Sequence, residues 1–230
     1  MKNILLIGGS YGIGLEIAKS MAEEHNVHIA ARSSENIPAN CTYHSFDVLT
    51  DHIEDLDLPE TIDGLVYCPG SINLRPFKML KPEAFSKDLE INFMSLVKVV
   101  HTLLPKLKNS KQASLVFFST VAVKVGMPFH TSVAAAKGAI EGFAKALAAE
   151  YAPSFRVNVI APSLTDTPLA GKLLSSDEKK EKMGERHPLK RVGNASDIAE
   201  IASFLLSEKS SWMTGQILGV DGGMSTLNVH

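Results

Sequence analysis

Short apolar runs rich in β-branched residues, each bounded by turn residues, recur along the chain, with stretches of helical spacing between most of them. Strands that alternate with helices pair in parallel, because each crossover helix returns the chain to the same end of the sheet. The pattern predicts an α/β protein built on a doubly wound parallel sheet of about seven strands. The predicted strands are Asn3 to Ile7, Val27 to Ala31, Thr42 to Phe46, Gly64 to Tyr67, Ser114 to Ser119, Arg156 to Ile160 and Gln216 to Val220. The predicted helices are Gly14 to Glu24, Glu83 to Leu107, Ser132 to Tyr151 and Ala195 to Leu206, the last capped by Asn194 or Ser196. From Ala31 to Thr42 the chain is too short for a helical crossing, which takes upwards of about a dozen residues, so one outer helix is expected to be missing. Pro162 to Glu185 mixes Ser, Thr, Gly and charges and reads as a loop, in such a fold a substrate lid.

Ligands of doubly wound sheets bind beyond the carboxyl ends of the strands. The first such loop, Gly8-Gly9-Ser10-Tyr11-Gly12-Ile13-Gly14, follows an apolar strand and opens a helix, so backbone amides can approach a pyrophosphate without side-chain obstruction. Glycines also mark ordinary turns, but the strand-to-helix setting favours a Rossmann-type nucleotide site. At the end of the second strand, Ala30-Ala31-Arg32-Ser33 has no acid to accept hydrogen bonds from a ribose and offers a guanidinium instead. That arrangement suits a 2′-phosphate and so NADP(H), the alternative being a solvated surface arginine.

With 230 residues the chain can bury one sizeable core, which fits a single Rossmann domain over 1–230. Its 23 Lys and Arg against 25 Asp and Glu give a net charge of -2 with the basic residues dispersed, which argues against nucleic acid as a partner. The first apolar run is too short for a signal sequence and no other stretch reaches membrane-spanning length, so a cytoplasmic protein with no membrane partner is expected. Cys41 and Cys68 are far apart, without metal-type spacing, and read as reduced thiols with no metal site.

The spacing of Gly8, Gly12 and Gly14 resembles the fingerprint of the short-chain dehydrogenase/reductase family. The resemblance runs over nearly the whole chain. Asp63 to Gly70 stands where the family has its Asn-Asn-Ala-Gly strand end, of which Gly70 alone is kept, and Asp47-Val48 resembles the adenine-contacting pair. Ile91-Asn92-Phe93 is similar to the mid-helix asparagine of the family's proton relay. Arg156 to Ser163 resembles the sixth strand and the turn beneath the nicotinamide, with Ser163 in place of glycine, and Thr165 and Thr167 fall where relatives contact the carboxamide and phosphates. Pro188 to Gly193, Asp197-Ile198-Ala199, Thr214-Gly215-Gln216 and Val220 to Gly223 resemble the family's last helix and strand. The resemblance implies NADP(H) bound by Gly8, Ser10, Tyr11, Gly12, Ile13, Gly14, Arg32, Asp47, Val48, Gly70, Lys137, Thr165 and Thr167, a small-molecule substrate, and a homo-oligomer, dimer or tetramer. Bland alternatives are a turn aspartate for Asp47, a polar helix residue for Asn92 and an exposed helix lysine for Lys137.

Relatives reduce a carbonyl with a serine after the fifth strand and a Tyr-x-x-x-Lys pair on the next helix, where residues four apart share a face. Here that stretch reads Val133-Ala134-Ala135-Ala136-Lys137, and the family's serine position falls on Thr120. Valine cannot donate a proton, and loss of a general acid costs about a hundred- to ten-thousand-fold in rate. His130 precedes Lys137 by seven residues and would share its helix face if the helix reached back that far. It matches the tyrosine position of the related enoyl-acyl-carrier reductases, against the alternative of a loop histidine beside Pro128. Ser132 is expected to cap the helix. The implied catalytic set is Thr120, Lys137, Asn92 and His130. The implied function is NADP(H)-dependent reduction of a carbonyl or enoyl group, with nucleotide binding without turnover, as a sensor or partner subunit, as the alternative. Substrate choice is expected to lie with Pro162 to Glu185 and a wall near Ile72 to Leu80.

Overall fold

The computed structural model describes residues 1–228. Seven strands form one parallel sheet: β1 (Asn3–Ile7), β2 (Asn26–Ala31), β3 (Cys41–Ser45), β4 (Gly64–Tyr67), β5 (Ala113–Phe118), β6 (Phe155–Pro162) and β9 (Ile217–Val220). Their order is β3-β2-β1-β4-β5-β6-β9, so the chain winds outward from β1 to β3, then returns to β1 and builds the other half. Ile4 is therefore registered with Val27 on one side and Gly64 on the other, and the switch of direction lies between β1 and β4. Each of these strands lies within two residues of its predicted bounds at either end.

Both faces of the sheet are covered, which is why its strands read as continuous apolar runs. Alternate residues of β1 go to different cores: Leu5 and Ile7 to one, Ile4 and Leu6 to the other. The first core is closed by α3 (Ser95–Lys108) and α5 (Thr131–Tyr151), through Leu96, Leu103, Ile140 and Leu147. The second is closed by α1 (Gly12–Met21) and α7 (Ala195–Leu206), through Ile17, Ile198 and Leu206. No helix forms between β2 and β3, as the short connection predicts. At the start of α7, Asn194 occupies the cap position and its amide donates to Asp197 at 2.7 Å.

The buried Arg156 guanidinium fastens β6 to the end of α7, donating to the carbonyls of Leu205 (2.9 Å), Ser207 (3.2 Å) and Ser210 (3.0 Å). Terminal helix carbonyls have no partner within the helix, and each left bare in the interior would cost about 1–3 kcal/mol.

Four expectations need correction. The helix expected over Glu83 to Leu107 is α2 (Pro82–Leu89), a π-helical turn at Glu90–Met94, and then α3. The first helix begins at Gly12 and ends at Met21, earlier at both ends than expected. Pro162 to Glu185 is not a plain loop: it holds the short strand β7 (Thr165–Asp166), which pairs with β8 (Gly193–Asn194), and the helix α6 (Asp177–Gly184). Ser132 does not cap α5, because His130 occupies the cap position and Ser132 lies inside the helix, buried with its hydroxyl unpartnered. A short helix α4 (Val121–Val125) also follows β5.

Candidate active site

The glycine-rich turn between β1 and α1 is shaped by backbone that only small residues tolerate. Gly8 (φ 83) and Gly12 (φ 60) are left-handed, and a Cβ on Gly14 would run into the carbonyl oxygen of Gly8. The bare backbone so produced opens on a cleft of about 200 Å³ lined by Gly8, Ser10, Tyr11, Gly12, Ile13 and Gly14. The same cleft is walled by Arg32, Asp47, Val48, Gly70 and Thr167. Arg32 is exposed and its Nη2 lies 3.5 Å from the Tyr11 hydroxyl, across the mouth. Asp47 also serves its own turn, its Oδ1 accepting from the Leu49 amide at 3.0 Å. Thr167 stands over the turn, 3.5 Å from where a Gly12 Cβ would be, while Thr165 is buried and donates to the Ser163 carbonyl at 3.0 Å. A glycine cradle at a helix N-terminus, open to solvent beside a guanidinium, fits a dinucleotide phosphate.

Ile13, Cys68, Gly70 and Thr167 are shared with a larger cavity of about 520 Å³ beyond the carboxyl ends of β4, β5 and β6. Thr120, His130, Val133 and Lys137 all line it. Thr120 caps α4, its Oγ1 accepting from the Ala122 amide at 3.3 Å. His130 is half-buried, and its Nδ1 lies 2.7 Å from the Pro128 carbonyl. A carbonyl only accepts, so Nδ1 carries the hydrogen there and Nε2 is the nitrogen left for other work. The helix does not extend back through His130, which reaches the cavity from the cap position and not from the helix face shared with Lys137.

Lys137 is buried, with no hydrogen bond or ion pair to its ammonium among the described residues. Burial pushes its pKa down to about 8. Burial also pushes the Cys68 thiol up to about 12, so it stays protonated and contributes no thiolate.

Asn92 sits in the π-helical turn, fully buried. Its Nδ2 donates to the Asp88 carbonyl at 2.8 Å and to Ser71 Oγ at 2.9 Å, and Ser71 in turn donates to the Asp88 carboxylate at 2.6 Å. Its Oδ1 has no partner and faces Gly70: a Cβ there would lie 3.1 Å from Oδ1 and 3.3 Å from Lys137 Nζ. The amide oxygen and the ammonium thus flank one bare backbone position. Buried polar atoms without partners are uncommon and ask for an explanation. Asn92 itself lines neither cavity, so a hydroxyl-bearing ligand laid across Gly70 would meet Lys137 directly and Asn92 only through an intervening water.

Sequence reasoning missed several residues of this neighbourhood. Ser71 and Asp88 were hidden in ordinary polar contexts. His187, buried, holds Ser163 Oγ at 2.8 Å through Nε2 and the Met183 carbonyl at 3.1 Å through Nδ1, and both His187 and Arg186 line the large cavity. The oddity of Ser163 where relatives carry glycine was the available signal. No cluster of three or more His, Cys, Asp or Glu able to hold a metal occurs among the described residues. Nor is any described helix long and apolar enough to cross a membrane.

A doubly wound sheet whose glycine-rich cleft meets a lysine-bearing cavity defines a nucleotide-linked α/β protein, and comparison with known proteins agrees. A family model described as Enoyl-(Acyl carrier protein) reductase matches residues 8–225. The chain is 32% identical to the 3-oxoacyl-[acyl-carrier-protein] reductase FabG of Chlamydia trachomatis serovar D, over 97% of each protein. It is 37% identical to the peroxisomal 2,4-dienoyl-CoA reductase SPS19 of Saccharomyces cerevisiae, over 67% of this chain and 53% of that one. The ligand-free aldohexose dehydrogenase of Thermoplasma acidophilum superposes with a TM-score of 0.88 at 26% identity, covering 100% of this chain and 97% of that one. The chain belongs to the short-chain dehydrogenase/reductase family of oxidoreductases.

Proposed function

We propose that the protein is a cytoplasmic, NADP(H)-dependent reductase that acts on a carbonyl or activated alkene of a small molecule through an atypical acid. The observation that carries this reading is the pair of unpartnered polar groups, Lys137 Nζ and Asn92 Oδ1, flanking Gly70 where the two cavities meet. Bound NADPH would supply the hydride. Lys137 would hold the ribose, Asn92 would hold water or hydroxyl in a proton relay, and Thr120 would donate a hydrogen bond to the substrate oxygen. Arg32 beside Tyr11 supports the phosphorylated over the plain dinucleotide, because a guanidinium matches a phosphate with two parallel hydrogen bonds. The relatives named for 3-oxoacyl and dienoyl reduction support both carbonyl and alkene chemistry. The wholly exposed Trp212, close before the sheet-edge strand β9, supports homo-oligomerisation as a dimer or tetramer.

The reaction also needs a proton at the atom that receives the electron pair. His130, with Nδ1 committed to Pro128, would deliver it from Nε2 as the imidazolium. NADPH oxidation against a panel of 2-enoyl and 3-oxoacyl thioesters tests this, and His130→Gln is expected to lower kcat about a hundredfold or more. Unchanged kcat in that variant would remove His130 from the reaction.

Val133 favours a second reading, a nucleotide-binding protein without turnover. It is buried in the cavity wall four residues before Lys137, where an apolar side chain can neither donate a proton nor polarise a carbonyl. NADPH binding without turnover on any member of the panel would establish it. Under the reductase reading Val133→Tyr, which places a phenol beside Lys137, is expected to raise carbonyl reduction about a hundredfold.

A further inference from the structure

Every charged or titratable nitrogen base on the wall of the large cavity is of one kind. Lys137, His130, Arg186 and His187 line it, and among the described residues no aspartate or glutamate does. The nearby carboxylates are committed elsewhere. Asp166 pairs with Lys180 at 2.7 Å and Glu185 with Lys190 at 3.2 Å, while Glu141 accepts from Ser119 and Asp88 from Ser71.

The four basic groups differ in what they have left to offer. Lys137 lies at the Gly70 end, both ring nitrogens of His187 are engaged, and His130 has one nitrogen fixed on Pro128. Arg186, like Lys137, is left without a charged partner, but it stands at the exposed end: its one side-chain hydrogen bond among the described residues is a weak one, from Nη1 to the Met183 sulfur at 3.7 Å. Its backbone is nevertheless well placed. His187 is pinned at both nitrogens, its amide donates to the Gly184 carbonyl at 2.9 Å, and Gly184 lies so close to the facing strand of chain that a Cβ would stand 3.1 Å from Arg191 Cα. The rest of the wall is largely apolar, with Ile72, Leu74, Phe129, Leu169, Leu173 and Met183. An apolar chamber with an uncompensated guanidinium at its exposed rim is complementary to an amphiphile that ends in an anion.

We propose that Arg186 is a specificity-determining residue that binds the anionic head, carboxylate or phosphate, of a substrate whose apolar chain fills the cavity. This rests on reading the cavity as the substrate site of the reductase, and it narrows the substrate class to anionic, acyl-chain molecules. A neutral substrate would leave the guanidinium without a counter-charge, so selection against neutral analogues follows from the same contact.

Calorimetric titration of the full chain with octanoate, octyl phosphate and octanamide tests the proposal. At least one of the two anions is expected to bind about tenfold more tightly than the amide, a preference that weakens as salt is raised. Arg186→Met is expected to bring that anion to the level of the amide and leave the amide unchanged, while Arg186→Lys keeps part of the preference. Tighter binding of octanoate assigns the head to a carboxylate, and of octyl phosphate to a phosphate. Equal binding of the anions and the amide, failure of both anions to bind at millimolar concentration, or a preference that survives in Arg186→Met overturns it. These titrations read binding alone and the reductase reading is judged on NADPH oxidation, so either can fail while the other stands.

Discussion

Replacing Lys137 by methionine is expected to make the protein more stable and to cut NADPH-linked turnover by about a hundredfold or more. Both effects come from the same burial. The ammonium is held in the interior without a counter-ion among the described residues, and its pKa is about 8 in place of 10.5. At 1.36 kcal/mol per pKa unit, the charged form costs the folded state about 3 kcal/mol. Below pH 8 both folded and unfolded chains carry the proton and the whole cost is present. Between pH 8 and 10.5 the unfolded chain still holds a proton that the folded chain has released, so stability rises with pH. The advantage of Lys137→Met over the native chain should therefore be greatest at pH 7 and shrink towards pH 10.5. Urea unfolding of both proteins at the two pH values checks this, and a variant less stable than the native chain at pH 7 would refute it. The turnover loss, read as NADPH oxidation, follows from removing the group that flanks Gly70 opposite Asn92. A lysine kept at such a cost is what a binding site tuned for function over stability contains.

Substituting alanine for Gly14 is expected to abolish nucleotide binding and to lower stability by about 3 kcal/mol or more. The added Cβ would meet the Gly8 carbonyl oxygen, Gly9 Cα at 3.0 Å and the Cys68 sulfur at 3.2 Å. Two of these three are backbone, so no side-chain rotation relieves the contact. Gly8 and Gly9 would have to move, and with them the bare amides of the turn. Thermal unfolding reads the first effect and NADPH fluorescence titration the second. Native-like affinity in the variant would show that the turn does not hold the dinucleotide. Gly142 offers a control inside α5, since nothing lies within 4 Å of where its Cβ would stand.

The sheet was legible because buried parallel strands carry their signal in composition: β1, β4, β5 and β6 are mostly apolar and buried on both faces, with Arg156 and Asn158 of β6 among the polar exceptions. The missing helix between β2 and β3 was legible from length alone. Helix α6 was not, because Asp177-Glu178-Lys179-Lys180-Glu181-Lys182 has no apolar stripe. It is fixed by Ser176, whose Oγ accepts from the Lys179 amide, and by two acids in its first turn. The π-helical turn was hidden for another reason. Nothing in Glu90-Ile91-Asn92-Phe93-Met94 disfavours an ordinary helix, and the turn is held by distant partners, Tyr67 donating to the Ile91 carbonyl at 2.7 Å and Ser71 accepting from Asn92. Of the candidate site, the glycine turn and Lys137 could be placed from local spacing. Ser71, Asp88, Arg186 and His187 could not, since each gains its meaning only from residues remote in the chain. His130 lines the same cavity as Lys137, but from the cap of α5 and not along a shared helix face.

The widened turn at Glu90–Met94 amounts to one residue more than a regular helix would need. Because each helical residue turns the chain by about 100°, removing a single residue there would swing Asn92 off Gly70 while leaving α2 and α3 as good helices. If Asn92 serves the relay proposed above, that role would be lost by the smallest deletion a gene can undergo in frame, with little trace in the fold. On that reading, a one-codon gap at this place would separate relatives able to use the relay from those that keep only the scaffold.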